Sequence, residues 1–227
     1  IQAAHVVAKA GADQITVHLR EDRRHIQDED VKNLRKESKL PLNLEMAVSE
    51  EIVKFACRVR PDWTCLVPEK RTEVTTEGGL DLKKNFKRVS QVVSRLKKAG
   101  IKVSLFVEPS LSAMKLSAEL GADAVELHTG HYCMAMQGAF GKRSGAQAKA
   151  DLKRIHESGN LARKLGLHVH AGHGFDDINV RPVAELLDHN GQTLIEEYNI
   201  GHFIVCRAAL VGLERAVREM ISAIQAP

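Results

Sequence analysis

The sequence lacks the features of a membrane-spanning, disulfide-stabilised or nucleic-acid-binding chain. No apolar run approaches the ~20 residues that a membrane helix needs. The four cysteines form no CxxC pair, which disfavours a disulfide framework or a cysteine zinc site and indicates a reducing, cytoplasmic setting. Acids and bases are interspersed and sum to a net charge of +4, without the clustered basic stripe of a nucleic-acid-binding protein. This mild charge is compatible with anionic small-molecule substrates.

What the sequence does contain is one phrase that recurs: the end of a helix, a glycine, and then a β-rich run. The 227 residues, 44% of them hydrophobic, show no linker or shift in composition, so we expect a single domain over 1–227. Glycine just after a helix favours the left-handed position that ends it. Repeated α-then-β units predict a parallel sheet. The four copies are KAGADQITVHL, KAGIKVSLFV, ELGADAVELH and KLGLHVHAG.

Hydrophobic patterning predicts seven strands separated by helices. The predicted strands are 15–18, 42–45, 64–67, 103–107, 124–128, 168–171 and 197–201. The clearest predicted helices are 49–60, 82–99, 110–120, 145–165 and 203–224.

This alternation predicts a (β/α)8 TIM barrel that is one strand short. The sequence opens within a helix, IQAAHVVAKAG, and such a helix normally follows a strand, so we expect the first barrel strand to be missing from this sequence. An open, doubly wound sheet with an N-terminal helix is the alternative. In the last unit, FIVC could be the strand instead of EYNIG; we choose EYNIG because it puts Gly201 and His202 at a carboxyl end.

Ionisable residues end several predicted strands on the side where barrel enzymes carry their chemistry. His18, Glu45, Glu126 and His173 lie at or next to such ends, and we interpret them as general acids and bases. A carboxyl group buried in an apolar strand should have a raised pKa, which suits proton exchange near neutral pH. The alternatives are a hydrogen-bonded histidine at the core edge for His18 and a structural salt bridge for Glu45.

Two glycine-containing segments, AGHG and NIGH, fall in the last two loops of the predicted barrel. Barrels often bind phosphate there, because glycine lets backbone N–H groups approach an anion closely. Gly174, Gly201 and His202 are therefore candidate phosphate-binding residues, with His173 beside them. The alternative is a pair of tight turns.

A metal site is a weaker reading of the same histidines. His168 and His170 would share a strand face, and His173 or His128 could add a third ligand for a metal-dependent hydrolase. No acidic ligand has a clear spacing relation to them, so we expect no metal.

Taken together, six segments closely resemble the pyridoxine 5′-phosphate synthase family over essentially the whole chain. These segments are ITVHLREDRRHI, LNLEMAVSEE, LVPEKRTEVTTEGGLDL, ELHTG, AGHGF and NIGH. The resemblance implies a β/α barrel, usually a homo-octamer, that uses no metal or organic cofactor. It also implies condensation of 1-deoxy-D-xylulose 5-phosphate with 3-amino-2-oxopropyl phosphate to pyridoxine 5′-phosphate, inorganic phosphate and water.

The resemblance also implies individual roles. By motif, His18 would be the general base, Glu45 a second acid/base group, His173 the proton donor and Glu126 a stabiliser of the transition state. The positions that would hold the deoxyxylulose phosphate are Arg20, His25 and Thr75. Those that would hold the amino-ketone phosphate are Gly174, Gly201 and His202. We expect the loop over 69–79 to act as a lid.

Two departures from the family pattern carry expectations of their own. Family members begin with a strand and loop that bear an Asn, an Asp-His pair and an Arg, which contact both substrates. This sequence shows none of them before Ile1, so we expect weak or no activity from the 227-residue chain. The segment over 131–151 is longer and richer in glycine, which predicts an altered loop or interface. The competing functions are another phosphate-binding barrel, such as a sugar-phosphate isomerase, and a non-catalytic remnant that binds phosphorylated metabolites.

Overall fold

The computed structural model describes residues 1–69, 78–137 and 145–225. In these ranges, parallel strands alternate with helices along the chain. The strands are β1 Ile15–Leu19, β2 Leu42–Ala47, β3 Trp63–Val67, β4 Lys102–Val107, β5 Ala124–His128, β6 His168–Gly172 and β7 Glu197–Asn199. The helices are α1 Gln2–Ala10, α2 Asp28–Glu37, α3 Glu50–Val59, α4 Leu82–Lys98, α5 Leu111–Glu119, α6 Gly130–Gln137, α7 Gly145–Lys164, α8 Arg181–Ala184, α9 His202–Val211 and α10 Leu213–Gln225.

The sheet has the sequential strand order of a barrel. The seven strands pair in parallel from β1 to β7 without reversal, and β1 and β7 are the ends of that order. The two end strands nevertheless approach each other. The Thr16 hydroxyl donates to Asn199 Oδ1 at 2.6 Å, and Gln14 Nε2, just before β1, donates to Glu197 Oε1 at 3.0 Å. The curled α/β fold of the TIM-barrel type is confirmed. The open, doubly wound alternative is wrong, since its strand order reverses at a switch point.

Four left-handed glycines explain the recurrent phrase in the sequence. Gly11, Gly100, Gly121 and Gly166 have φ values of 102°, 80°, 73° and 79°. A side chain at such a φ would crowd the backbone, whereas glycine ends the helix freely and turns the chain into the next strand.

Alternate residues of each strand separate an apolar layer from a polar interior. On β2, the side chains of Leu42, Leu44 and Met46 are fully buried in the core that the strands form with the helices. The fully buried helix residues Ile52 and Val53 belong to the same core. Burying one such side chain stabilises the fold by about 1.5–3 kcal/mol. The intervening positions face the barrel interior.

Apart from Phe106, that interior row is polar, and it is in register across neighbouring strands. His18 pairs with Glu45, Glu45 with Cys65, and Cys65 with Ser104. A second stretch of the row joins Phe106 to Glu126, Glu126 to His170, and His170 to Glu197. The sheet therefore delivers ionisable side chains from distant parts of the chain to one enclosed space.

The carboxyl-terminal helical region differs from the prediction. The helix predicted over 203–224 is two helices, because Gly212, with φ 85°, separates α9 from α10. FIVC lies inside α9, and the strand is β7, so the choice of EYNIG is confirmed. The helices α2, α6 and α8 were not among the clearest helices named from the sequence. The segment over 131–151 contains most of α6 and the start of α7, and residues 138–144 lie outside the described ranges.

All four cysteines are free thiols. Within the described ranges, no helix combines the length and the apolar composition that crossing a membrane requires.

Gly79 offers a test of how tightly the chain packs where it leads into α4. A Cβ at Gly79 would overlap the backbone N of Glu108 and lie 2.6 Å from the carbonyl carbon of Val107. We expect Gly79→Ala to destabilise the fold by about 1–3 kcal/mol, because backbone atoms cannot move aside cheaply. Urea unfolding measures this change.

The matched control is the neighbouring Gly78, where the nearest atom to an added Cβ would be a Glu108 carboxylate oxygen at 3.7 Å. Gly78→Ala should unfold with the wild-type midpoint. Equal stability of both variants would show that the close approach at Gly79 does not constrain the fold.

Candidate active site

Four of the predicted proton-handling residues lie at the carboxyl-terminal half of the sheet. His18 and Glu45 are register partners on β1 and β2. Glu126 is the central residue of β5, and His173 follows the last residue of β6. The site therefore occupies the interior of the curled sheet near its carboxyl end, where barrel enzymes place their chemistry.

The first half of the site is a histidine between two carboxylates. His18 Nδ1 lies 3.8 Å from Glu45 Oε2, and His18 Nε2 lies 3.6 Å from Glu69 Oε2. The Glu69 side chain is only 1% exposed, and its Oε1 is 3.9 Å from Nη2 of Arg20 and accepts the Glu21 N–H at 2.9 Å. This arrangement gives His18 a carboxylate on each side to exchange a proton with.

Burial shifts the pKa values of the first pair in opposite directions. Loss of water around His18, with the nearby Arg20 charge, lowers its pKa from 6.5 to about 4. Burial raises the pKa of Glu45 from 4.5 to about 7. The order of the two pKa values is thus inverted, so near neutral pH His18 is an unprotonated base and Glu45 can hold or release a proton.

The second half of the site pairs Glu126 with His173. Glu126 is fully buried, and its Oε1 lies 3.9 Å from His173 Nδ1. Its other oxygen accepts a hydrogen bond from Asn199 Nδ2 at 3.0 Å and lies 3.6 Å from the Cys65 thiol, which donates to it. These contacts fix one edge of the carboxyl group and leave the other directed at the histidine.

The same inversion of pKa values occurs in this second pair. Burial, together with the negative charges of Glu45 and Glu197, raises the pKa of Glu126 well above its usual value. Burial, with the charges of His128 and His18, lowers the pKa of His173 from 6.5 to about 4. Because the charge of Glu45 acts on Glu126 and that of His18 acts on His173, the two pairs lie within electrostatic range of each other.

Four buried atoms of the two pairs and of the adjoining Glu69 lack a hydrogen-bond partner in the described part of the chain. They are His18 Nε2, Glu69 Oε2, Glu126 Oε1 and His173 Nδ1. Most buried polar atoms in proteins are paired, so orphaned atoms need an explanation. At this place the four atoms are free to be complemented by the polar groups of a ligand.

The AGHG segment holds His173 in an unusual backbone conformation. His173 and Gly174 both have positive φ, 73° and 89°. A Cβ at Gly172 would overlap Glu126 Oε1, and one at Gly174 would lie 2.8 Å from Cys133 Cβ. Gly172 and Gly174 are therefore required so that His173 can turn toward Glu126.

The predicted substrate-binding residues that the structure describes follow the carboxyl ends of β1, β6 and β7. Arg20 is buried directly after β1, and the exposed His25 is close enough to His18 for its charge to affect the His18 pKa. Gly201 precedes α9 and His202 begins it, next to the end of β7. Thr75 and most of the predicted lid, residues 70–77, lie outside the described residues.

His168 and His170 do not join the metal group considered from the sequence. Their rings pack against Trp63, with centroids at 6.4 Å and 5.3 Å. Nδ1 of His168 lies 2.7 Å from a Glu196 oxygen, and Nδ1 of His170 lies 3.4 Å from a Glu197 oxygen. Both histidines have a carboxylate neighbour; His168 begins β6, and His170 is its central residue.

Three residues that the sequence patterns did not single out lie at the site or beside it. Glu69 lies in the VPEKR segment just after β3. Asn199 ends β7 and is the first residue of NIGH. Glu108 directly follows β4. It is therefore an ionisable residue at a strand end, the same signal that identified the other candidates.

Comparisons with known proteins agree on one family. The family model described as "Pyridoxal phosphate biosynthesis protein PdxJ" matches residues 1–226. A pyridoxine 5′-phosphate synthase of Trichlorobacter lovleyi is 49% identical over 227 residues, which covers 100% of this chain and 90% of that protein. One of Aquifex pyrophilus is 49% identical over 220 residues, covering 96% of this chain and 89% of that protein.

Among solved structures, the likeness concerns the fold. Phosphoribosyl anthranilate isomerase from Thermotoga maritima superposes with a TM-score of 0.63 at 14% identity, covering 100% of this chain and 94% of that chain. The corresponding isomerase from Pyrococcus furiosus has a TM-score of 0.62 at 17% identity, with the same coverage.

The raised pKa of Glu45 predicts a pH-dependent stability difference. Between pH 4.5 and 7 the folded protein keeps a proton on Glu45 that the unfolded chain releases, so the contribution of this group falls as the pH rises. Glu45→Gln removes that loss. As the pH rises from 4.5 to about 8, we expect the free energy of unfolding of the variant to increase by roughly 2–3 kcal/mol relative to that of wild type, measured by urea unfolding at the two pH values.

The control is Glu185→Gln, the same substitution at an exposed position just after α8. Its stability difference from wild type should be the same at both pH values. A pH-independent difference for Glu45→Gln would contradict the raised pKa.

Proposed function

This chain belongs to the pyridoxal phosphate biosynthesis protein PdxJ family and is a pyridoxine 5′-phosphate synthase by its similarity over the full chain, and from this premise we propose how its residues take part in the reaction. We propose that the substrates are 1-deoxy-D-xylulose 5-phosphate and 3-amino-2-oxopropyl phosphate. The amine of the second substrate attacks the carbonyl carbon of the first, and water leaves as the C=N bond forms. Loss of inorganic phosphate, ring closure and a second loss of water then complete the pyridine ring.

The proposed roles follow the two pairs. His18 takes the proton that the attacking amine and the adjacent carbon give up, and Glu45 returns protons to the oxygen that leaves as water. His173 donates a proton in the second half of the reaction, and Glu126 stabilises the charge that develops beside it. Each elimination or addition moves a proton. The site must therefore offer both a protonated acid and an unprotonated base at every stage.

One observation carries this proposal: two histidine–carboxyl pairs with inverted pKa values meet in one interior. Burial lowers the pKa of both histidines to about 4 and raises that of Glu45 to about 7. A site with neutral imidazole bases and protonated carboxyl acids can remove and deliver protons at the same pH. A single salt bridge would not need this inversion.

Phosphate recognition is proposed at two places on either side of these pairs. Arg20, His25 and Thr75 bind the deoxyxylulose phosphate through cationic and hydroxyl groups. Gly174, Gly201 and His202 bind the amino-ketone phosphate through backbone N–H groups, supported by the position of Gly201 and His202 at the N-terminus of α9. The proposed lid over 69–79 covers the substrates during the reaction.

The roles are tested by turnover. We expect His173→Asn and Glu45→Gln to lower kcat by about 10²–10⁴-fold, the usual contribution of a general acid or base. Pyridoxine 5′-phosphate formed from the two proposed substrates is quantified by mass spectrometry, and calorimetry checks that each variant still binds substrate.

His189→Ala, at an exposed histidine outside the site, is the control and should keep wild-type kcat. A kcat within about twofold of wild type for both site variants would remove the proposed acid–base roles. Turnover only with a different pair of substrates would remove the proposed substrates instead.

We also propose that the chain, as one β/α-barrel domain, assembles as a homo-oligomer, the octamer that the family resemblance implies, in the cytoplasm. The support is α9: in this fully described helix, HFIVCRAALV, no residue is buried, and Val205 and Leu210 are 66% and 80% exposed. Free thiols at all four cysteines agree with the cytoplasmic location. No cofactor is proposed for the reaction itself.

The oligomer is tested by light scattering after gel filtration. Leu210→Glu should lower the assembly state, because it puts a charge into an apolar contact. Lys153→Glu, on the exposed side of α7, is the charge-changing control and should leave the mass unchanged. A wild-type protein that is monomeric at every concentration would contradict the proposal.

A further inference from the structure

A second cluster of metal-ligating side chains lies at the same end of the sheet, outside the four proton-handling residues. Glu108 follows β4, His128 ends β5, and His131 is in the first turn of α6. We propose that Glu108, His128 and His131 bind one divalent transition-metal ion, with Zn²⁺ as the best match. The ion would have a structural role beside the synthase site and would take no part in the condensation.

The three donors converge closely. One ligand atom from each residue can be chosen so that all three lie within 4.8 Å of one another. Nδ1 of His128 is 2.8 Å from Glu108 Oε1, and the His128 and His131 rings have centroids 5.8 Å apart. Tetrahedral zinc with bonds of about 2.0–2.1 Å separates its ligand atoms by roughly 3.3 Å, so small side-chain movements suffice.

The orientation of His128 is fixed so that Nδ1 is the available donor. A Cβ at Gly130 would lie 2.6 Å from Nε2 of His128, so that edge of the ring abuts the backbone. Glu108 is held as well, because its Oε1 accepts the Gly79 N–H at 3.0 Å. A preorganised carboxylate and imidazole lower the entropy that metal binding must otherwise overcome.

Charge and space around the cluster also favour a cation. Glu108 brings a carboxylate to within 2.8 Å of the His128 ring nitrogen Nδ1, beside the second imidazole of His131. A cavity of about 210 Å³ adjoins Glu108 and His131 and leaves room for water ligands. Two imidazoles and one carboxylate form a donor set that suits zinc and its neighbours in the first transition row.

The groups lining the rest of that cavity leave it without a net excess of positive charge. Asp151 is buried and accepts hydrogen bonds from Gln147 at 2.9 Å and Arg154 at 3.1 Å. The positive charge of Arg154 is therefore paired with the negative charge of Asp151, which reduces its repulsion of a cation at the cluster. Glu108 then provides the negative charge that attracts the ion.

The position of the cluster gives the ion a consequence for the synthase site. The His128 ring lies 5.7 Å from the His173 ring, and Phe106 contacts both, with centroids at 5.2 Å from His128 and 4.5 Å from His173. An ion bound to His128 would hold its ring in place, and with it one of the surfaces against which His173 packs. The ion would thus join the ends of β4 and β5 to α6 and position His173 indirectly.

Metal binding by the tag-free, chelator-treated protein tests the proposal. We expect roughly one equivalent of Zn²⁺ per chain after dialysis, measured by mass spectrometry of the metal, and visible ligand-field bands with Co²⁺. His131→Ala and Glu108→Gln should each weaken Zn²⁺ binding by at least about tenfold in calorimetry. Because His131 is exposed, its substitution should leave the fold intact.

His5→Ala, at an exposed histidine of α1, is the matched control and should bind Zn²⁺ as wild type does. Binding of far less than one equivalent, or equal affinity of His131→Ala and wild type, would overturn the proposal. These measurements do not depend on turnover, so their failure leaves the proposed synthase roles standing. Loss of turnover in His173→Asn with normal Zn²⁺ binding would separate the two sites.

Discussion

Burial of ionisable groups inside the curled sheet is the constraint on which this site depends. Water around a charge stabilises it, so removing that water favours the neutral form of every group. Imidazoles become weaker bases and carboxyl groups weaker acids, which places His18 below Glu45, and His173 below Glu126, on the pKa scale. Such groups are costly in a structural core. Their retention in one enclosed space is what the proposed proton-transfer roles require.

The sheet makes this burial possible because its apolar and polar faces are separated. The outward face of each strand joins the helices in the apolar core, whose stabilisation offsets the cost of the polar interior. The register then sets His18 beside Glu45, and Cys65 beside it on β3. A shift of one residue in any strand would turn these side chains outward.

Phe106 is a contact that the candidate proton-handling residues and the Glu108 cluster share. It contacts the rings of both His128 and His173, so the proposed metal site and the proposed proton donor share one wall. The second half of the site is also the better supported half. Asn199 and Cys65 hold Glu126 from β7 and β3, and the glycines around His173 shape the loop that faces it.

The sequence by itself determined the alternation of helices and strands, because a glycine after a helix and an apolar run are local signals. It also identified His18, Glu45, Glu126 and His173 as candidates, because strand ends can be recognised from the pattern. Only the tertiary structure decided which groups meet. Glu69, Asn199 and the cluster of Glu108 with His128 and His131 depend on contacts between residues far apart in the chain, such as the 20 positions that separate Glu108 from His128. The pKa inversion likewise comes from burial, which exists only once the sheet has curled and the helices have covered it.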